Sequence, residues 1–215
     1  MVTVGRGFDW FRPSNVPISD SNRGSSIYPY ERFLKALWRV TGLVLVSLNF
    51  CANADSTPDY DRTKFGVWSD FDRDCQNTRA EVLIDRSIVP VSFKSQRECL
   101  VLYGLWKSTY TGITYDRASE LHIDHIVPLA WAWAHGAYSW EDHQLIQFGN
   151  DEKNLIPVEA SLNSEKGASG PDRWLPPIDK CAYFEIFEKI RKRYHLVLSN
   201  DENKLFQLIA RVCER

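Results

Sequence analysis

"ELHIDHIVPLA", residues 120–130, sets Glu120, His122, Asp124 and His125 within six positions and follows them with apolar residues. An ordinary buried strand avoids such a cluster, because unpaired charges and imidazoles are costly to desolvate. The stretch reads as a strand running into Pro128, a residue suited to a helix's first turn. Residues 129–135 then read as helix, stopping near Gly136.

Downstream, Ser139 is a candidate cap for a second helix through about Phe148, with Asp142 three residues on. "NLIPVEA" (154–160) reads as another short strand, and "SLNSEKG" (161–167) as a short helix stopped by Gly167. Strand, strand and helix thus follow in order, with two helices inserted between the strands. Upstream, "EVLIDRSIVPVSF" (81–93) reads as β-rich, with Pro90 at an edge or bend. "YTGITY" (110–115) reads as a tight turn between short strands, with Gly112 supplying the turn. "CAYFEIFEKIRKRY" (181–194) has apolar residues at helical spacing, and Ser199 with Glu202 forms a capping-box pattern before the last helix. The expected class is α+β, with extra N-terminal strands and a C-terminal αα-hairpin.

The chain of 215 residues, 44% hydrophobic and 13% aromatic, can build a real core. Its formal net charge of −2 advertises no polyanion partner, so nucleic-acid contact requires a local basic patch or a bound cation. Residues 1–31 are rich in Gly, Ser, Asn and Pro without a clear period. Arg32, Lys35 and Arg39 then precede an apolar run from Val40 to Phe50 and the tripeptide Ala52-Asn53-Ala54. That layout is a secretory signal over about residues 32–54, cleaved after Ala54, and implies a true start downstream of Met1. The run falls short of the roughly 20 apolar residues a membrane anchor needs. The domain division is therefore a leader over 1–54 and a globular part over 55–215, secreted or periplasmic, with no stable membrane association.

Five cysteines are present, and loss of the leader removes Cys51. Cys75, Cys99, Cys181 and Cys213 remain, an even set suited to disulfides in an oxidising compartment. Cys181 opens one helix of the hairpin and Cys213 closes the other, so antiparallel packing pairs them and leaves Cys75 for Cys99.

Four positions fit one chemistry. Hydrolysing a phosphodiester needs an activated water, a cation for the developing charge, and a means of aiming both. His125 is a suitable general base. The Asp124 carboxylate and Asn163 amide oxygen are hard ligands suited to Mg²⁺ or Mn²⁺. Asp124 and His125 are neighbours on a strand and point to opposite faces, so they serve one site only if the strand ends or bulges there. Asn154 is expected to lock the loop by hydrogen bonds to backbone near His125. Lys166, three residues after Asn163 on the same helix face, is expected to touch a phosphate.

"IDHIVPLAWAW", "NDEKNLIPVEASLNSEKG" and "WLPP" resemble the HNH endonuclease family in its Asp-His/Asn/Asn form. "YDRTKFG", "CQNTRAEVL" and "CAYFEIFEKIRKRY" extend the resemblance to secreted bacterial HNH-family nucleases, from about Tyr60 to Cys213. The resemblance implies a ββα-metal core over about residues 120–177 and metal-dependent cleavage of nucleic acid. It casts His125 as base, Asn154 as structural asparagine, and Asp124 and Asn163 as ligands of one divalent cation, Mg²⁺ before Mn²⁺. Ala168 departs from relatives that carry Asp after the Lys-Gly pair.

Elsewhere the plainer readings hold. His122 reads as a surface or supporting residue, His135 and His143 as solvated or packing residues, and Trp131, Trp133, Trp140 and Trp174 as core. Arg79 in "NTR" is a candidate phosphate contact, with a structural ion pair as the equal alternative. The expected function is an exported endonuclease acting on DNA, or on RNA, with little sequence specificity, since no recognition helix or zinc finger is present. The alternatives are a toxin or restriction nuclease domain, with the signal-like leader arguing against a solitary cytoplasmic restriction enzyme, and a secreted binding module that kept the fold and lost catalysis.

Overall fold

The computed structural model describes residues 57–215. The proposed leader and Cys51 lie outside the described residues.

Two antiparallel strands divide the interior. β4 (Leu121–His125) pairs with β5 (Leu155–Glu159) from Leu121 opposite Glu159 to His125 opposite Leu155, without a bulge. Side chains alternate across a strand. Leu121, Ile123 and Leu155 therefore enter one hydrophobic cluster with Ala80, Leu83, Val101 and Trp106. Val158 enters another, a largely aromatic cluster with Tyr110, Trp131, Trp174, Tyr183 and Phe187. Helix α4 (Ala160–Lys166) follows β5 directly and packs on both strands. It ends at Gly167, whose φ of 52° favours a residue without a Cβ.

The first cluster is closed by α1 (Thr78–Arg86) and by a three-stranded antiparallel sheet. That sheet runs β1 (Ser92–Phe93), β2 (Val101–Lys107) and β3 (Thr114–Arg117). The β-rich reading of residues 81–93 is corrected here: Thr78–Arg86 is helix, and within that stretch only Ser92–Phe93 is strand. The Asn77 side chain accepts from Ala80 N at 3.1 Å and caps the helix. Thr78 and Val82, four apart, are buried on one face, and the cap with this spacing overrides the β preference of Val82 and Ile84.

The second cluster is covered by α2 (Leu129–Ala134), α3 (Asp142–Gly149), α5 (Lys180–Arg193) and α6 (Asn200–Cys213). Gln144 Oε1 accepts from Glu141 N at 3.0 Å at the start of α3, in place of a cap by the expected Ser139, whose hydroxyl donates to Gly136 O at 2.8 Å. The α5–α6 hairpin carries the expected capping box of Ser199 and Glu202. His135 packs rather than standing in solvent: it stacks on Trp131 and bonds Glu202 Oε1 at 2.9 Å. Disulfides join Cys75 to Cys99 and Cys181 to Cys213.

Candidate functional site

β4 ends at His125, still in register with β5, so Asp124 and His125 part to opposite faces. His125 turns toward the segment before α1. Its Nε2 lies 2.9 Å from Gly149 O, and its ring stacks on Trp68 with centroids 5.7 Å apart. A carbonyl only accepts, so Nε2 carries the proton and Nδ1 of the neutral ring is an acceptor. Burial lowers the His125 pKa to about 4, opposed by the Gly149 bond and the Asp124 charge and assisted by Arg62 and Lys166. The ring is neutral throughout the neutral pH range, at a cost in basicity.

His125 lines a cleft of about 530 Å³ with Arg62, Gly66, Trp68, Leu129 and Gly149. A Cβ at Gly149 would lie 2.7 Å from Phe65 O, so only glycine lets that segment approach the carbonyl that orients the imidazole. Asn150 then ties the segment down, accepting from Ser69 N at 2.8 Å and donating to Val67 O at 3.2 Å. Arg62, Trp68 and Gly149 were not singled out by sequence reasoning. They meet His125 only through tertiary packing, and a local pattern carries no trace of that.

Asn154 is fully buried behind the strand end. Its Oδ1 accepts from Val127 N at 2.8 Å, its Nδ2 donates to Val127 O at 3.1 Å, and its own carbonyl accepts from Ile126 N at 2.8 Å. The turn after His125 is therefore fixed by backbone and side chain together.

On the other face, the Asp124 carboxylate accepts from Lys166 Nζ at 2.9 and 3.1 Å and from the Tyr110 hydroxyl at 2.6 Å. Lys166 Nζ also donates to His125 O at 2.7 Å. The expectation that Lys166 touches a phosphate is corrected: its side chain is fully buried on Asp124. Helix α4 packs on both β4 and β5, and its last residue is turned inward. Burial pulls the Lys166 pKa down, and the Asp124 charge opposes that. Burial, then the Asp124 charge, raises the Tyr110 pKa, so the phenol stays a donor. Asn163 stands at the surface of the same face, its Nδ2 donating to His122 Nδ1 at 3.2 Å. His122 is exposed and supports Asn163, in line with its reading as a surface or supporting residue, and it shares the Asp124 face because it lies two residues away.

Arg79 resolves toward structure, but through hydrogen bonds rather than an ion pair. Its guanidinium donates to Ala118 O and Leu121 O, each at 3.0 Å, at the entry to β4. Asp70, Asp72 and Asp74 form a separate exposed group. Their side chains accept from the backbone N–H groups of Cys75, Asp74 and Gln76, which accounts for the group without an ion.

Residues 77–198 match the family described as GmrSD restriction endonucleases, C-terminal domain. The chain belongs to this family. It is also 36% identical over 159 residues to a protein of Arthroderma benhamiae described as an uncharacterized secreted protein, covering 72% of this chain and 76% of that protein. No solved structure matches. This member of the GmrSD C-terminal domain family is secreted, in keeping with that relative and with its two disulfides. Among the described residues, no helix is long and apolar enough to cross a membrane. The family match begins at residue 77, so Arg62 to Trp68, one wall of the His125 cleft, precedes it.

Proposed function

We propose that the protein is an exported, metal-dependent endonuclease that hydrolyses phosphodiester bonds of DNA, or of RNA, with little sequence specificity. In this reading β4, β5 and α4 are the two strands and helix of an HNH-type ββα-metal core. The observation that carries it is His125: a neutral imidazole, held by Gly149 O through Nε2, with Nδ1 left as acceptor on a residue that lines a cleft. Membership of a nuclease family supports it.

His125 Nδ1 takes a proton from water as the water oxygen bonds to phosphorus, and the bond to the leaving oxygen breaks on the opposite side. Trp68 and Gly149 keep the ring from turning, and Asn154 keeps the strand end from moving. On the Asp124 face the Lys166 ammonium occupies the carboxylate, within hydrogen-bond distance of both oxygens, so a metal ion would have to displace it. Asp124 and Asn163, with His122 beside Asn163, would hold Mg²⁺ or Mn²⁺ in competition with Lys166. The ion would supply positive charge for the phosphate, and it would meet the same phosphate as His125 only with the end of β4 turned so that both side chains face one site.

The same Lys166–Asp124 pair favours one rival, a secreted module that keeps the fold without catalysis. Plasmid nicking by the purified protein, with Mg²⁺ or Mn²⁺ and with EDTA, separates the two. Nicking that EDTA abolishes and His125→Ala removes is expected; intact plasmid under all conditions would leave the binding module standing.

A further inference from the structure

We propose that Arg62 is the phosphate-binding residue of the His125 cleft, its guanidinium receiving the non-bridging oxygens of the phosphodiester. The inference rests on the nuclease reading and names a contact that reading lacks. On the metal-facing side the lysine expected to meet phosphate is buried on Asp124, so no lysine charge reaches the substrate from there. Arg62 lines the same cleft as His125. It is exposed, and among the described residues it has no carboxylate within ion-pair distance. The neighbouring Asp61 carboxylate is engaged by Thr63 N at 2.9 Å and Thr63 Oγ1 at 2.6 Å. Burial raises the pKa of the neighbouring Tyr60, so its neutral phenol leaves the Arg62 charge uncompensated. Lys64 turns away and lies over the Trp133 ring, 5.7 Å from its centroid.

The segment that carries Arg62 is also built to hold still. Asp61 caps the 3₁₀ turn Arg62–Phe65, and Phe65 is buried against Trp133 and Phe148. Trp133 Nε1 donates to Pro58 O at 2.7 Å on one side, and Asn150 holds Val67 and Ser69 on the other. A guanidinium carried on this fixed segment presents a planar fork matched to two phosphate oxygens, which a lysine cannot reproduce.

The test uses the whole protein and Arg62→Ala and Arg62→Lys, with melting temperature followed for each. Two readouts are taken: kcat/KM on bis(4-nitrophenyl) phosphate, a diester without bases, and binding of a fluorescein-labelled oligonucleotide in EDTA. Arg62→Ala should lose about 10²-fold in kcat/KM, as loss of a charge-stabilising donor does, with partial recovery in Arg62→Lys or on adding guanidinium ion. Oligonucleotide affinity should fall in parallel while the melting temperature holds. If Arg62→Ala, or Arg62→Lys should the alanine variant misfold, matches wild type in both readouts, the inference is overturned. A wild-type protein that binds the oligonucleotide through Arg62 but cleaves nothing overturns the nuclease reading alone; one that neither binds nor cleaves overturns both.

Discussion

The two faces of β4 hold neighbouring residues in opposite conditions. His125 is held by one hydrogen bond and one aromatic stack beside a cleft, with a ring nitrogen free to accept. Asp124, one residue earlier, is saturated: an ammonium and a phenol occupy its carboxylate inside the core. The first arrangement leaves a group able to react, and the second offsets a charge. Side-chain alternation thus separates what a linear "Asp-His" motif presents as a unit. The comparison predicts that damage on the His125 face appears in turnover and damage on the Asp124 face in stability and metal response.

The largest effect is expected from His125→Ala. General-base catalysis is worth about 10²–10⁴-fold, and cleavage should fall at least that far. Oligonucleotide binding in EDTA should hardly change, because binding does not call on Nδ1. Single-turnover cleavage beside anisotropy measurements checks both halves, and a variant that cleaves at the wild-type rate would break the comparison at its first face.

Lys166→Met should act on the other face. It leaves the Asp124 carboxylate buried without its counter-charge, and stranding one partner of a buried pair costs about 3–5 kcal/mol. Urea unfolding reads that loss. Mg²⁺ or Mn²⁺ should restore part of it by replacing the ammonium, so the melting temperature of Lys166→Met should rise with added cation more than that of wild type. Equal responses of the two proteins would show that the cation does not compete for Asp124.

A third effect separates the faces by pH. Burial holds His125 neutral in the fold with a pKa of about 4, whereas an unfolded histidine titrates near 6.5. Between those values the unfolded chain binds a proton that the folded chain refuses. Stability is therefore full above about pH 6.5 and declines as pH falls toward 4, by ~3 kcal/mol from this residue alone. Urea midpoints across that window should drop, and His125→Gln should flatten the drop. Cleavage by the free enzyme should keep its acid limb near pH 4, since His125 accepts a proton only while neutral.

Much of the scaffold was legible because its signals are local. β4, β5 and α4 follow from short apolar runs bounded by Pro128, Asn154 and Gly167, and the hairpin from a capping box and helical spacing. The disulfide pairing follows from which helix ends an antiparallel hairpin brings together. The lock formed by Asn154 was readable from its place at the start of a strand facing the turn after His125. Helix α1 was not, because Val82 and Ile84 suit either structure and the deciding Asn77 cap lay outside the β-rich window. The burial of Lys166 depends on how α4 rolls against the strands, which tertiary packing settles. The wall from Arg62 to Trp68 lies far from His125 along the chain and reaches it through Phe65, Gly149 and Asn150.

The smallest predicted effect is the most discriminating for the metal. Asn163 and His122 touch at the surface, so removing either side chain leaves no buried gap and little change in stability is expected. Asn163→Ala should instead raise the Mg²⁺ or Mn²⁺ concentration needed for half-maximal cleavage, by roughly 10-fold on the scale of losing one support of a metal site, and excess cation should recover the rate. His122→Ala should shift the same midpoint in the same direction, because without its Nδ1 the Asn163 amide loses its orienting partner. The double variant should then fall short of the sum of the two, as residues acting through one contact do. Additive shifts would mean that His122 meets the cation independently. A midpoint unmoved by either would place the cation away from this face of β4, and the division of labour between Asp124 and His125 would have to be redrawn around the His125 cleft alone.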